Sequence, residues 1–320
     1  MRYLLLLIII LSTLAIAPNR LEKSEIEQVE IEKEEIILLF VGDIMLNRGV
    51  EYYIKRNNDW RWPFLQVADF LNEADVVFGN LESVISDKGH NVGSIYSFRA
   101  DPKSMEGLIY SGFNIVSVAN NHSFDYTGKA FSDSLSRLKE AEILYTGGGY
   151  SKDEAYSPTI KELKGTKIGF LGYTSLGSPS WEATSNSPGI AWIDIHRIDK
   201  LRNEVASAKN KVDFLIVSFH FGEEYQKKPS NEQVTMAEAA IDSGANLIIG
   251  HHPHVLQPLV EYKDGWIAYS LGNFIFDQYF SEETTSAAIL KVVIKGKTIK
   301  SVEMIPTKIN NSYQVTILGQ

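Results

Sequence analysis

The stretch that decides the fold is IILLFVGD, residues 36–43. Its apolar and partly β-branched run predicts a buried strand over residues 36–41, and Asp43 places a carboxylate just after that strand. The same unit, an apolar run with a polar end, recurs along the chain and alternates with segments of three-to-four-residue periodicity. This alternation predicts an α/β fold, and no internal repeat or low-complexity tract interrupts it.

Strands and helices are predicted to alternate from residue 36 onward. The predicted strands are 36–41, 76–78, 114–118, 167–173, 214–219, 246–249, 266–270, 287–294 and 298–305, the last two joined as a hairpin. The predicted helices are 64–73, 102–111, 129–141, 197–208 and 233–243, the last closed by Gly244. No domain boundary stands out among them, so residues 36–320 are expected to form one domain.

Composition excludes several classes of protein. The chain has 320 residues, 44% of them hydrophobic and 22% charged, which is typical of a globular enzyme and not of a disordered or multi-span membrane protein. The net charge of −9 argues against a general nucleic-acid binder, which needs a basic face. Because the chain has no cysteine, any metal must be held by His, Asp, Glu or Asn.

The N-terminus has the pattern of an export signal. Residues 3–17, YLLLLIIILSTLAIA, follow one positive side chain and end in a small-residue signature. The run makes only about 22 Å of helix, shorter than a hydrocarbon core of ~30 Å, which favours a signal peptide. Pro18 follows the presumed cleavage point and disfavours cutting there, so retention as a membrane anchor is the other expectation.

The segment between this run and the domain is strongly acidic. Residues 18–35 contain a cluster of glutamates with few lysines, which predicts a solvated linker. We therefore expect 1–17 to be a signal peptide or N-terminal membrane anchor, 18–35 to be an acidic linker, and the domain to be exported and extracytoplasmic, either membrane-anchored or secreted.

Polar side chains stand at the ends of several predicted strands. Ligands of open α/β sheets bind beyond the carboxyl ends of the strands, so these groups should converge at one edge. Imidazole, carboxylate and amide groups are ligands of zinc, iron and manganese, and a two-metal site needs roughly six to eight of them. The candidates are Asp43, Glu82, Asn120, Asn121, His122, His220, His252 and His254.

Two interpretations stay open for the acidic and paired candidates. Asp43 is a metal ligand or a helix N-cap. Glu82 admits the same two interpretations, and Asn80 could supply an amide oxygen in its place. His252 and His254, on a turn made rigid by Pro253, are a ligand pair or part of a polar loop.

The remaining histidines differ in the role that their neighbouring residues predict. His122 is a proton donor or transition-state stabiliser near the metals, or a structural residue bonded to Asp125. Of the preceding asparagines, one would serve a turn and the other a metal. His220 is a ligand or a satisfied core histidine, whereas His90 and His196 are expected at the surface.

These residues resemble the CapA family of capsule and poly-γ-glutamate synthesis proteins (PgsA-like), which is related to the calcineurin-like metallophosphoesterases. The resemblance runs from about residue 36 to at least residue 286. It is carried by GDIML (42–46), GNLES (79–83), FRADP (98–102), VANNHSFDYTG (118–128), HFGEEY (220–225), GHHPHVLQ (250–257) and SLGNFIFDQ (270–278). The implied fold is a layered α/β sandwich with two mixed β-sheets flanked by helices.

The resemblance also implies roles for individual residues. Asp43, Glu82, Asn121, His220, His252 and His254 would hold one or two divalent metal ions (manganese, iron or zinc), and His122 would be the catalytic imidazole. Three departures from the phosphoesterase pattern favour a single metal or a weaker second site. Met45 stands in place of a histidine, Gly79-Asn80-Leu81-Glu82 replaces the bridging-aspartate motif, and His251 replaces a glycine.

The implied function is a membrane-associated, extracytoplasmic part of the machinery that makes or exports an anionic polymer such as poly-γ-glutamate. One hypothesis is a metal-dependent hydrolase; another is a non-catalytic polymer-binding subunit beside ligase or export subunits; a phosphodiesterase is the third. Arg99, Asn120 and Glu224 are expected to contact the substrate. Arg99 has an alternative as the ion-pair partner of Asp101 or Asp125.

Overall fold

A computed structural model describes residues 34–319. The predicted signal or anchor segment, 1–17, and nearly all of the predicted linker, 18–35, lie outside the described residues. In the part of the chain that is described, no helix is long and apolar enough to cross a membrane.

Strands and helices alternate through most of the described chain. The strands are β1 (Glu35–Ile44), β2 (Val76–Leu81), β3 (Val84–Ile85), β4 (Arg99–Ala100), β5 (Ile115–Ser117), β6 (Leu144–Thr146), β7 (Gly148–Gly149), β8 (Thr159–Leu163), β9 (Thr166–Thr174), β10 (Gly189–Ile190), β11 (Phe214–His220), β12 (Leu247–His251), β13 (Leu259–Tyr262), β14 (Gly265–Ala268), β15 (Asn273–Ile275), β16 (Ser286–Lys295), β17 (Thr298–Ile309) and β18 (Val315–Ile317). The helices are α1 (Arg48–Asn57), α2 (Ala68–Leu71), α3 (Met105–Tyr110), α4 (Thr127–Glu140), α5 (Lys152–Tyr156), α6 (Ile198–Lys209), α7 (Asn231–Asp242) and α8 (Glu282–Thr285). Short 3-10 turns lie at Trp62–Phe64, Pro102–Ser104, Pro179–Trp181 and Ile195–Arg197.

Two mixed sheets form the centre of the fold. The eight-stranded sheet has the order β18-β17-β16-β1-β2-β5-β6, with β15 also paired to β1, and the six-stranded sheet has the order β13-β14-β12-β11-β9-β8. Strands β1, β2, β5 and β6 run parallel, as do β9, β11, β12 and β14, whereas the outer strands pair antiparallel. The predicted metallophosphoesterase-like sandwich of mixed sheets and flanking helices is confirmed.

The alternation of side chains along each strand builds the layers. Ile36, Leu38 and Phe40 of β1 belong to the apolar core between the two sheets, whereas Leu39 and Val41 belong to the core that includes α1 and α4. The six-stranded sheet divides its residues in the same way between the inter-sheet core and the core that includes α6 and α7. A strand buried on both faces must be apolar throughout, which explains the unbroken apolar runs of the sequence.

A close backbone approach fixes the place where β1 ends. The Asp43 N–H donates to the Gly272 carbonyl at 3.0 Å, and a Cβ on Gly42 would lie only 1.8 Å from that carbonyl oxygen. Only glycine leaves room for this contact. The GDIML and SLGNF motifs therefore lie side by side, with Asp43 opposite Asn273 in the parallel register of β1 and β15.

Every predicted strand is present, with shifts of a few residues at the ends, and most predicted helices are also present. The helix predicted over 64–73 is wrong, because the chain forms a 3-10 turn and then only the short α2. Val67 has a non-helical backbone, and the Asn72 side chain donates to the Ala68 carbonyl at 2.8 Å, so it competes with helix continuation. Helices α1, α5 and α8 are additional to the prediction.

The inter-sheet core should dominate stability. The Phe78 ring on β2 stacks on the Phe170 ring on β9 at a centroid distance of 5.8 Å, and both side chains are fully buried. Phe78→Ala should therefore lower the free energy of unfolding by about 3–5 kcal/mol, because it opens a cavity between the sheets. Chemical denaturation measures this; Ile160→Ala, at an exposed position of β8, is the control and should change stability little. Equal effects of the two substitutions would contradict this account of the core.

Candidate metal centre

The polar ends of strands from both sheets meet at one edge of the sandwich. Asp43 comes from β1 and Glu82 follows β2 in the eight-stranded sheet, while His220 ends β11 and His252 follows β12 in the six-stranded sheet. One ligand atom each of Asp43, Glu82 and His220 lies within 4.8 Å of the others, and all three side chains are buried. We call these three residues the first ligand group.

Asn80 holds the first ligand group together. Its Nδ2 lies 2.8 Å from Asp43 Oδ1, 3.2 Å from Glu82 Oε2 and 3.1 Å from His220 Nδ1. The amide N–H groups thus compensate part of the negative charge that two buried carboxylates would otherwise leave unpaired. The Asn80 Oδ1 in turn accepts a hydrogen bond from Asn120 Nδ2 at 3.1 Å.

The two carboxyl groups are driven toward different charge states. Burial, then the negative charge of Asp43, raises the pKa of Glu82 well above its ordinary value. Burial alone would also raise the pKa of Asp43, but the neighbouring His251 and His254 hold it well below its ordinary value. A pair of this kind resists carrying two negative charges unless a cation compensates them.

A second ligand group lies beside the first. One ligand atom each of Glu224, His252 and His254 lies within 4.8 Å of the others. Glu82 connects the two groups, because its Oε1 lies 3.7 Å from His254 Nε2 while its Oε2 faces Asn80. Residues 34–319 provide no hydrogen-bond donor for this buried Oε1.

The turn that carries the paired histidines is strained. His252 and His254 have φ values of 94° and 57°, a left-handed backbone that L-residues rarely adopt. The His252 N–H donates to Asp43 Oδ2 at 3.2 Å, and His254 Nδ1 lies 2.9 Å from Asn273 Oδ1. This hydrogen bond places the His254 proton on Nδ1 and leaves Nε2 as the free lone pair toward Glu82.

Two of the buried histidines, His220 and His252, favour the neutral form. Burial and the adjacent His252 lower the pKa of His220 well below its ordinary value, and burial with the neighbouring His254 lowers the pKa of His252 to about 3. Neutral imidazole is the form that binds a metal.

These observations test whether a divalent metal suits the site. The donors are nitrogen and oxygen atoms, the classes that zinc, iron and manganese take. Two of the buried atoms, Glu82 Oε1 and His252 Nδ1, have no partner within the described part of the protein, although isolated buried polar atoms are costly. The residues present therefore fit one or two divalent ions.

Met45 contributes to the core and not to either ligand group. Its side chain is fully buried among apolar residues, and its sulfur accepts the Asn47 N–H at 3.3 Å. The departure from the phosphoesterase pattern at this position therefore removes one imidazole from the edge of the sandwich, as the sequence indicates.

His122 lies beside both groups and is oriented by a carboxylate. Its Nδ1 lies 2.7 Å from Asp125 Oδ2, and its Nε2 lies 3.8 Å from Glu82 Oε1. Asp125 is itself fixed by the Phe98 N–H at 2.8 Å, and the Phe98 ring packs on the imidazole at a centroid distance of 3.9 Å. The bond to Asp125 is thus present, and it directs Nε2 toward the ligand groups.

The two asparagines before His122 have different surroundings. Asn120 is buried, donates to the Leu81 carbonyl at 2.9 Å and accepts the His122 N–H at 3.1 Å, which is the turn-forming behaviour expected of one of the pair. Asn121 places its Oδ1 2.7 Å from His220 Nε2, at the first ligand group.

The residues predicted to contact substrate lie in different surroundings in the structure. Glu224 is exposed and belongs to the second ligand group. The Arg99 guanidinium instead stacks on the Tyr126 ring at 4.1 Å and donates to the Lys88 carbonyl at 2.9 Å. His90 and His196 are exposed, as predicted.

Sequence reasoning assigned no role to two residues of this edge. Asn273 orients His254, and its own amide is fixed because Nδ2 donates to the Thr284 carbonyl at 3.0 Å. His251 lies with Nδ1 3.5 Å from Asp43 Oδ1 and is buried against Phe78. The sequence feature that could have pointed to His251 and Asn273 is their position within the GHHPH and SLGNF motifs.

A layered α/β sandwich that gathers these donors at the strand ends defines a metallophosphoesterase-like protein. Residues 37–278 match the model of the family described as bacterial capsule synthesis protein PGA_cap. The chain belongs to this family.

Curated relatives are similar along most of the chain. It is 30% identical to the capsule biosynthesis protein CapA of Bacillus anthracis, over 96% of this chain and 76% of that protein. It is 29% identical to the PGA biosynthesis protein CapA of Bacillus subtilis, over 91% of this chain and 76% of the relative. A probable polyglutamine synthesis accessory protein of Mycobacterium tuberculosis is 25% identical over 76% of this chain and 74% of its own length.

The ligand groups predict a measurable metal content. The full chain should retain about one or two divalent ions per molecule, and His252→Ala should lose at least one of them, because it removes a buried neutral imidazole. Elemental mass spectrometry of the purified proteins, after reconstitution with manganese, iron or zinc, measures this. His196→Ala, at an exposed position, is the matched control and should keep the parent content. Equal metal in all three proteins would contradict the assignment.

Proposed function

We propose that this protein acts in the synthesis or export of an anionic capsule-type polymer such as poly-γ-glutamate, as a metal-dependent hydrolase on that polymer or a related envelope substrate. The observation that carries the proposal is the His122–Asp125 pair beside two ligand groups. Family membership supports the polymer, because the relatives are named for capsule, PGA and polyglutamine synthesis.

A cavity gives a ligand access to this chemistry. It has a volume of about 200 Å³ and is lined by His122, His254 and Glu224 among others. A divalent ion bound there would act as a Lewis acid and lower the pKa of water. The protein itself supplies the proton-handling group, the ligand-binding surface and the partial exclusion of solvent.

His122 is suited to deliver a proton to a leaving group. The Asp125 carboxylate accepts a hydrogen bond from Nδ1–H and orients the ring, so that Nε2 faces the ligand groups, where a proton carried on it can be given to a leaving group. The side chain is only 11% exposed, and Phe98 and Asp125 fix the ring. The same arrangement serves hydrolysis of an amide or a phosphate ester, since both leaving groups need a proton.

A non-catalytic polymer-binding subunit is the second candidate. Two observations favour it: Met45 is a core residue where a ligand would be expected, and the Asn80 Nδ2 already lies within hydrogen-bond distance of all three members of the first ligand group. In this case the cavity would hold the polymer beside ligase or export subunits.

We also propose that the domain works outside the cytoplasm. The support is the apolar run 3–17 with its flanking positive charge, which is typical of a signal peptide or short anchor. Deleting residues 1–17 should leave the protein in the cytosol, whereas the full chain should fractionate with membranes or the exterior. Cell fractionation with immunodetection measures this, and an unchanged distribution would overturn the proposed location.

Substitution of His122 separates the two candidate functions. With metal-reconstituted full chain and poly-γ-glutamate, His122→Asn should lower turnover at least about 100-fold while metal content is kept, because the proton donor is lost and the ligands remain. Polymer length measured by size-exclusion chromatography reports turnover. His196→Asn is the control and should match the parent. Turnover that survives in His122→Asn would remove the catalytic role, and polymer binding without turnover by the parent would select the binding subunit.

A further inference from the structure

The cavity beside the ligand groups has one Lys or Arg side chain among the described residues that line it, and this side chain is Arg48. Arg48 lies two residues beyond Leu46, the last residue of the GDIML motif, and it begins helix α1. Aromatic side chains line the same cavity, among them Tyr96, Phe98 and Phe280. A cation and several rings therefore share the entrance to the ligand groups.

The Arg48 side chain is held in place at the cavity. Its Nε donates to Asp277 Oδ2 at 3.0 Å and its Nη2 donates to Asp277 Oδ1, while the Gly49 N–H also donates to Asp277 Oδ2 at 3.0 Å. The guanidinium carbon lies 5.1 Å from the Phe98 ring centroid and 5.9 Å from that of Tyr96. A guanidinium fixed on one edge by a carboxylate and on one face by an aromatic ring is pre-organised for a second anion.

The backbone at this position is strained. Arg48 has a φ of 55°, in the left-handed region that disfavours a long side chain. Such strain persists where the surrounding structure maintains it, and it is concentrated at functional sites. The side chain nevertheless stays 35% exposed, so it can reach a ligand.

Exposed aromatic side chains stand beside Arg48 at the same cavity. Tyr96 and Phe280 are 65% and 66% exposed, and the Tyr225 ring contacts the Phe280 ring at a centroid distance of 5.2 Å. A ligand that suits this surface offers apolar groups to the rings and an anion to the guanidinium. The repeat of poly-γ-glutamate has both, since methylene groups of its main chain alternate with free carboxylates.

Electrostatics indicate why a cation is needed there. Glu224 and Asp277 both line the cavity, so a polyanion that enters it meets carboxyl side chains. Arg48 lines the same cavity beside its ion-pair partner Asp277, and its guanidinium is the cationic group there that can donate to a polymer carboxylate.

We propose that Arg48 is a specificity-determining residue that binds a free carboxylate of the acidic polymer while Tyr96, Tyr225 and Phe280 pack on its methylene groups. This inference rests on the proposed function, in that the ligand is the polymer. It assigns to Arg48 the anion-binding role that the sequence suggested for Arg99.

The test compares charged and neutral polymers on metal-reconstituted full chain. Arg48→Gln should weaken binding of poly-γ-glutamate at least about tenfold, because a charge-assisted contact is lost, and should leave binding of the methyl-esterified polymer unchanged. Arg56→Gln, at an exposed position of the same helix, is the matched control and should bind both polymers like the parent. Isothermal titration calorimetry gives the affinities, and metal content should be equal in all proteins.

A second variant tests whether a loss of binding comes only from leaving Asp277 unpaired. Arg48→Gln leaves Asp277 without its guanidinium, so Arg48→Gln combined with Asp277→Asn removes both charges and should show the same selective loss. Equal binding of the acidic polymer by parent and both variants would overturn the inference and leave the proposed function standing. Equal losses for acidic and esterified polymer would show a structural role and overturn it too.

Two further outcomes would overturn the proposed function as well as this inference. If the parent binds neither polymer, the polymer assignment fails and the inference fails with it. If the parent instead binds vesicles of phosphatidylglycerol and phosphatidylcholine, and Arg48→Gln abolishes this, the anion is a lipid headgroup and the polymer assignment is overturned.

Discussion

The burial of two carboxyl groups side by side is the constraint on which the rest of this sheet edge depends. Asp43 and Glu82 are both fully buried, and their charges can be tolerated only with donors or a cation beside them. Asn80 donates to both, and the His252 N–H donates to Asp43. The polar residues of this edge thus compensate the buried carboxyl groups of Asp43 and Glu82.

The sandwich brings the compensating groups together because it aligns the ends of strands from two sheets. Residues of β1 and β2 come from one sheet, and those of β11 and β12 come from the other. The core between the sheets, with Phe78 stacked on Phe170, holds the two edges at a fixed separation. Apolar packing between the sheets therefore sets the distances within the ligand groups.

Local sequence patterns were sufficient to predict the strands and the polar residues at their ends. Apolar runs identified the strands, and the polar residues after them identified the candidates that now lie together. Properties that depend on tertiary contacts were out of reach. The left-handed backbone of Arg48 and its pairing with Asp277, far along the chain, have no local signature, whereas Arg99 lies in a conspicuous motif but stacks on Tyr126.

The two ligand groups differ in how readily they could accept a cation. In the first group the Asn80 Nδ2 lies within hydrogen-bond distance of all three members, so a cation there would require the amide to turn, and the hydrogen bond from Asn120 to Asn80 Oδ1 would be lost. The second group includes the exposed Glu224 and also His252, whose Nδ1 has no partner among the described residues, and it lines the cavity through Glu224 and His254. Occupancy should therefore favour the second group, which is also the one that a ligand held by Arg48 would reach.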